Sequence, residues 1–201
     1  MDNNILFKLS YGLFVITAND SGKDNGCIIN TVSQLTDTPL RLSFTINKSN
    51  LTHDMIKNTG VFNVSVISED ADFDLFSHFG FQKGLDVDKF ADFHDAKKSS
   101  NGLFYITKGC NSYISGKVIQ EIDVGTHTLF IADISDGEVL SETPSATYAY
   151  YHENIKPKPN NHETSGYRCK ICGYVYEGAE LPPDFICPLC KHGAIDFEKI
   201  I

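Results

Sequence analysis

The sequence predicts a mainly β protein: a closed or nearly closed barrel interrupted by short helices, followed by a small module stapled by a metal. Three observations predict it. Segments rich in β-branched and aromatic residues recur through the first 150 or so residues, with turn formers between them. The composition shifts sharply at 153–166, ENIKPKPNNHETSG, which has the prolines, asparagines and charges of a linker. Beyond it lie 35 residues holding four of the six cysteines, a length that buries little surface and needs a staple. The chain therefore divides into a domain at 1–152, a linker at 153–166 and a module at 167–201.

GLFVITA, RLSFTIN, VFNVSVI, YISGKVIQEI and HTLFIADISDGEVL each read as β. In RLSFTIN, Leu42, Phe44 and Ile46 alternate with Arg41, Ser43 and Thr45, the pattern of a half-buried strand. DNGCIINT is a further strand that carries Cys27 as a small apolar residue, and Cys110 begins a strand or ends a loop. Two short helices interrupt. SNLTHDMIKNTG opens at Ser49 or Asn50 and stops at Gly60. SEDADFDLFSHFGF takes Ser68 as its cap and sets Phe73, Phe76 and Phe79 at a spacing of three.

Charge and hydropathy exclude some classes. A formal net charge of −9 argues against nucleic-acid binding. No run approaches the ~18 apolar residues of a membrane span, and the N-terminal residues lack the basic start and apolar run of a secretory signal. A cytoplasmic location follows as the expectation. Paired cysteines there more often bind metal or do redox chemistry than form disulfides.

Cys169, Cys172, Cys187 and Cys190 form two Cys-x-x-Cys pairs separated by fourteen residues. Two such loops each present two sulfurs to one ion, and four thiolates suit tetrahedral zinc or iron. The spacing leaves both metals open. The surroundings go further. Tyr167 stands two residues before the first pair, Gly173-Tyr174-Val175-Tyr176 follows it, and Leu181-Pro182 precedes Cys187-Pro188. This stretch resembles the rubredoxin family. The resemblance implies one iron held by the four cysteines, single-electron transfer, and a small aromatic core of Tyr167, Tyr174, Tyr176, Phe185 and Phe197. The loop between the pairs is shorter than in free-standing rubredoxins, Phe185 replaces a usual tryptophan, and Lys191 stands where glycine is usual.

The other informative stretch is 30–67. A strand ends at Asn47-Lys48, and Ser49, Asn50 and Thr52 open a helix. Helix-start N–H groups, hydroxyls and a lysine suit a phosphate, and ordinary helix capping explains the same residues. The whole stretch resembles the flavin reductase-like, FMN-binding split-barrel family, with further likeness in DVDKFA and GTHTLFIADISDGEVL. By that resemblance Thr31, Val32, Ser33 and Gln34 line the flavin ring, and Asn47, Lys48, Ser49, Asn50 and Thr52 hold the ribityl chain and phosphate. Lys89 reaches the flavin from its loop. His127 faces the nicotinamide side, with Thr126 in place of the usual aspartate. The family forms homodimers through the flavin domain, which brings Tyr150, Tyr151 and His152 toward a neighbouring subunit's flavin.

Together the resemblances imply an electron-transfer flavo-rubredoxin: NAD(P)H to FMN, FMN to a mononuclear Fe(Cys)4 centre, and iron to an acceptor such as a flavodiiron oxygen or nitric oxide reductase. A flavin links the steps because it accepts electrons in pairs and releases them singly. Two alternatives stay open: a free-flavin reductase with an accessory metal tail, and a non-catalytic flavin-binding module with a structural zinc ribbon. No side chain is required as a general acid or base. His53 sits on the phosphate-side helix as a ligand contact or a surface residue, and His78, His94, His162 and His192 read as exposed or loop histidines.

Overall fold

The computed structural model of the chain describes residues 5, 8–157, 166–170, 173–187 and 192–200. In chain order the elements are β1 (Phe14–Asp20), β2 (Lys23–Ile29), β3 (Ser33–Asp37), β4 (Leu40–Asn47), α1 (Leu51–Thr59), β5 (Val61–Ile67), α2 (Phe73–Phe76), β6 (Ala96–Lys98), β7 (Phe104–Ile106), β8 (Cys110–Asp123), β9 (His127–Val139) and α3 (Tyr148–Tyr150), then β10 (Gly166–Cys169), β11 (Val175–Tyr176) and β12 (Phe197–Ile200). A π-helical turn extends α2 through Ser77–Phe81, and another extends α3 through Tyr151–Ile155.

Seven strands form one antiparallel sheet in the order β2-β1-β5-β8-β9-β4-β3. Its two outer strands, β2 and β3, are consecutive in the chain and joined only by Asn30, Thr31 and Val32. Four Cα steps span at most about 14 Å, so the sheet must curl until its edges meet. Thr31 completes the closure: its hydroxyl donates to the Thr45 carbonyl and accepts the Thr45 N–H, both at 3.0 Å. The result is a barrel split along the seam between β2 and β3.

The interior is filled by Ile16, Leu42, Phe44, Ile46, Phe62, Val64 and Phe130. Phe44 stacks on Phe130 with ring centroids 5.2 Å apart and meets Phe62 edge-on at 4.7 Å. β1 is buried on both faces, Ile16 inward and Val15 into a second cluster with Ile67, Phe76, Phe79 and Ile106, which explains its continuous apolar run. Gly116 permits the tight crossing of β8: a Cβ there would lie 2.5 Å from the Phe62 ring and 2.9 Å from the Asp133 carbonyl. The strand bulges beside it, between Ser115 and Gly116.

The first expected helix is present, with Asn50 as its N-cap and Gly60 as its left-handed stop. The second starts later than its sequence suggests, and Ser68 is not its cap. Backbone N–H groups of Ser68 and Glu69 donate to Gly109 and Pro144 instead, and the Ser68 hydroxyl turns to the Asp70 carboxylate. Asp72 takes the cap, accepting from the Leu75 N–H at 3.3 Å. β3 lacks any burial alternation, being exposed at all five positions. In the tail, β10 lies between β11 and β12. Among the described residues no helix is long and apolar enough to cross a membrane.

Candidate functional sites: an exposed strip and a cysteine knuckle

β4 organises the first site. Ser33 pairs with Ser43, Gln34 with Leu42, and Thr31 is tied to Thr45. At the far end Asn47 pairs with His127 of β9, and the chain passes through Lys48 and Ser49 into α1. Leu42 to Asn47 spans roughly 17 Å of extended strand. Thr31, Val32, Ser33, Gln34, Asn47, Lys48, Ser49, Asn50 and His127 thus gather along one strip, exposed or half-buried throughout.

The end near α1 is polar and preorganised. The Asn47 carboxamide oxygen accepts from both the Ser49 N–H and the Ser49 hydroxyl at 2.9 Å. The Asn50 oxygen accepts from the Thr52 N–H at 3.2 Å. Capping, one of the two explanations these residues allow, is therefore in place, and an anion here competes with it. The Lys48 ammonium reaches the Asp123 carboxylate at 2.7 Å, which holds that acid below its ordinary range, helped by the Gly125 N–H. Asp123 is the last residue of β8, 75 residues away, and no local pattern signals the pairing. The His127 ring lies 2.8 Å from the Thr126 hydroxyl.

Two expected residues stand apart from the strip. Thr52 is fully buried, its hydroxyl accepting from the Asn25 amide at 3.0 Å. Lys89 is 3% exposed and lies behind β2, donating to the carbonyls of Gly26 at 2.9 Å and Phe79 at 3.0 Å. Burial pulls its pKa down to about 8. Nearby Cys27 is also buried, and desolvation pushes its thiol up. Cys110 opens β8, buried and likewise pushed up by desolvation.

Sequence reasoning missed Asn25. It lies at a core-facing position of β2, and its Oδ1 is buried with no hydrogen-bond partner among the described residues. Tyr151 packs inside its own domain, 4.4 Å from Phe76 between ring centroids. His53 is a core residue: it is 4% exposed, tilted against Phe130, and within 2.9 Å of the Thr128 hydroxyl and 2.8 Å of Asp54. His78 sits between the Phe79 and Phe93 rings. His162 lies outside the described residues.

The second site is in the tail. Cys169 and Cys187 are buried, at 1% and 0% exposure, in one cluster with Phe197, against which Tyr167, Tyr174, Tyr176 and Phe185 pack. Both cysteines make the same backbone hydrogen bond. The Cys169 N–H donates to the Tyr174 carbonyl and the Cys187 N–H to the His192 carbonyl, each at 2.8 Å and each five residues on. Gly173, at φ +82°, permits the first turn. Cys172, Cys190 and Lys191 lie outside the described residues.

Both sites fit the groups expected of them. The exposed edge strand β3 offers backbone donors and acceptors to ring heteroatoms, and Lys48 with the Ser49 hydroxyl, turned from Asp123 and Asn47, offers charge and a donor to a phosphate. Two buried cysteines packed among aromatic rings suit a metal, since thiolates so placed need a cation.

The family description "Flavin reductase like domain" matches residues 6–158. The chain belongs to the flavin reductase-like family. A second description, "Rubrerythrin, rubredoxin-like domain", matches residues 167–198. The whole chain is 36% identical to the high molecular weight rubredoxin of Moorella thermoacetica, covering 100% of both sequences. It is 39% identical to the ferric-chelate reductase (NAD(P)H) of Archaeoglobus fulgidus over 79% of this chain and 93% of that one. Among solved structures, the NADH:FAD oxidoreductase of Streptomyces globisporus C-1027 shares the fold at a TM-score of 0.65, with 18% identity over 72% of this chain and 84% of that one. The flavin reductase-like domain is thus the split barrel, and the rubredoxin-like domain the cysteine module.

Proposed function

We propose that this protein is a cytoplasmic electron-transfer flavo-rubredoxin, reduced by NAD(P)H and passing single electrons from FMN through a mononuclear iron centre to a separate acceptor, of which a flavodiiron oxygen or nitric oxide reductase is the kind expected. The observation that carries this reading is the presence, in one chain, of an exposed strip with the donor set for a flavin nucleotide and a buried cysteine knuckle. When bound, the flavin supplies exchange between paired and single electrons.

The chain's residues do the rest. The β3 backbone and Gln34 orient the ring, while Lys48, Ser49 and the head of α1 hold the phosphate. His127 borders the face open to nicotinamide. Cys169, Cys172, Cys187 and Cys190 hold the iron, and the aromatic shell keeps water from it. A homodimer through the flavin domain is part of the reading.

Anaerobic gel filtration followed by NADH or NADPH addition tests it. Co-elution of yellow and red chromophores, both bleached by the nicotinamide, is the expected result. Loss of flavin on the column favours a free-flavin reductase, and zinc with tightly held flavin favours the structural-ribbon alternative.

A further inference from the structure

Phe81 belongs to the split barrel, at the end of the π-helical turn Ser77–Phe81. It packs against the buried cluster of Cys169, Cys187 and Phe197, and every other described residue of that cluster belongs to the rubredoxin-like module. Two features of the barrel bear on this contact. An open groove of about 350 Å³ is lined by Phe81, Gly80, Ile28, Tyr151 and Lys156. Lys156 is where the chain leaves the last helical turn toward the module, so the linker is rooted beside Phe81. Lys156 and Gly166 are ten residues apart, a separation of at most about 36 Å even at full extension, which keeps the module at a high effective concentration over this face. Gly80, next to Phe81, lies against Ile28: a Cβ on it would sit 3.3 Å from the Ile28 side chain. Ile28 is three residues before Thr31, roughly 10 Å along an extended chain, where the exposed strip begins.

We propose that Phe81 is the anchor by which the barrel docks its own rubredoxin-like module beside the flavin strip, and that it acts as a positioning residue for passage of electrons from flavin to iron. This rests on the electron-carrier reading for its consequence, though not for the docking itself. One half-buried aromatic side chain holds the module reversibly, as a central anchor does in a transient interface. The docked module would place the iron held by its cysteines beside the flavin, which, once reduced by two electrons, would supply them one at a time. The one-electron acceptor of the proposed function would take up each electron from the iron before the next is passed.

Docking is read first, on the full chain loaded with flavin and with zinc in place of iron. Nuclear relaxation of the Val175, Tyr176 and Phe185 amides gives the module's tumbling time. In the wild type it equals that of the barrel. In Phe81→Ser it falls at least twofold, and Phe81→Tyr restores it. A wild-type module that tumbles independently overturns the proposal whether or not the variant folds, and so does unchanged tumbling in Phe81→Ser.

Electron passage is read second, on the iron-loaded chain after rapid anaerobic reduction of the flavin. Iron bleaching is expected to be independent of protein concentration in the wild type, at least tenfold slower in Phe81→Ser, and within twofold of wild type in Phe81→Tyr. Equal rates in all three chains overturn the positioning role. A docked wild-type module whose iron stays ferric overturns the carrier reading and leaves the docking intact.

Discussion

Between about pH 8 and 10.5 one buried ammonium should contribute a rising increment to the stability of the folded barrel, opposed above about pH 9 by the buried thiols of Cys27 and Cys110. Lys89 is 3% exposed, and its Nζ is held by two backbone carbonyls. Burial lowers its pKa from 10.5 to about 8, with Cys27 acting in the other direction. The unfolded chain keeps its proton up to about 10.5, while the folded chain gives it up from about 8. Between those values the unfolded state binds more protons, so the free energy of unfolding climbs with pH. A gap of about 2.5 units, at 1.36 kcal/mol per unit, amounts to about 3 kcal/mol. That increment is absent below pH 8 and complete above pH 10.5. Urea unfolding at a series of pH values, wild type against Lys89→Met, isolates it, because the other lysines, the tyrosines and the buried thiols of Cys27 and Cys110 are present in both chains. The difference between the two should change by about 3 kcal/mol across the window. Parallel pH profiles, or a Lys89 resonance titrating near 10.5 in the native protein, would refute the reasoning.

The other predictions concern the two sites. Asn50→Ala removes the side-chain cap of α1 and should cost about 1 kcal/mol of stability, read as a lower unfolding midpoint in urea. Lys48→Gln removes the exposed cation from the phosphate end of the strip; flavin affinity should drop several-fold at low ionic strength and approach wild type as salt screens the charge. An affinity loss independent of salt would point to a packing role instead. Cys187→Ser should abolish the ferric charge-transfer bands and leave flavin retention intact, so simultaneous loss of both chromophores would show that the barrel depends on the module for its fold.

How much of this was legible in the sequence differs by element. The alternation in RLSFTIN located β4 and its inward Leu42, Phe44 and Ile46, because a strand with one buried face writes its period into the chain. The start of α1 was legible for the same local reason: caps lie next to the helix they serve. β3 left no such trace, since an edge strand exposed on both sides carries no apolar period. Ser68 was mistaken for a cap because its backbone is claimed by Gly109, and Glu69's by Pro144, contacts fixed only by the tertiary fold. The same holds for Lys48 with Asp123, for His53 with Thr128, and for the burial of Lys89 against β2. In the tail, the cysteine spacing announced a metal site, but the matched backbone hydrogen bonds of Cys169 and Cys187 appear only in the folded chain. Phe81 was invisible as an anchor, because nothing in SHFGF distinguishes a residue that faces its own core from one that meets another module.

The central claim is that one polypeptide couples a two-electron flavin to a one-electron iron. Anaerobic reductive titration of the purified, cofactor-loaded chain tests it most directly. Two electrons for the flavin and one for the iron predict full bleaching of both chromophores with about 1.5 equivalents of NAD(P)H, or about three of a one-electron reductant, per chain. An end point at two electrons, with the metal spectroscopically silent throughout, would contradict the account.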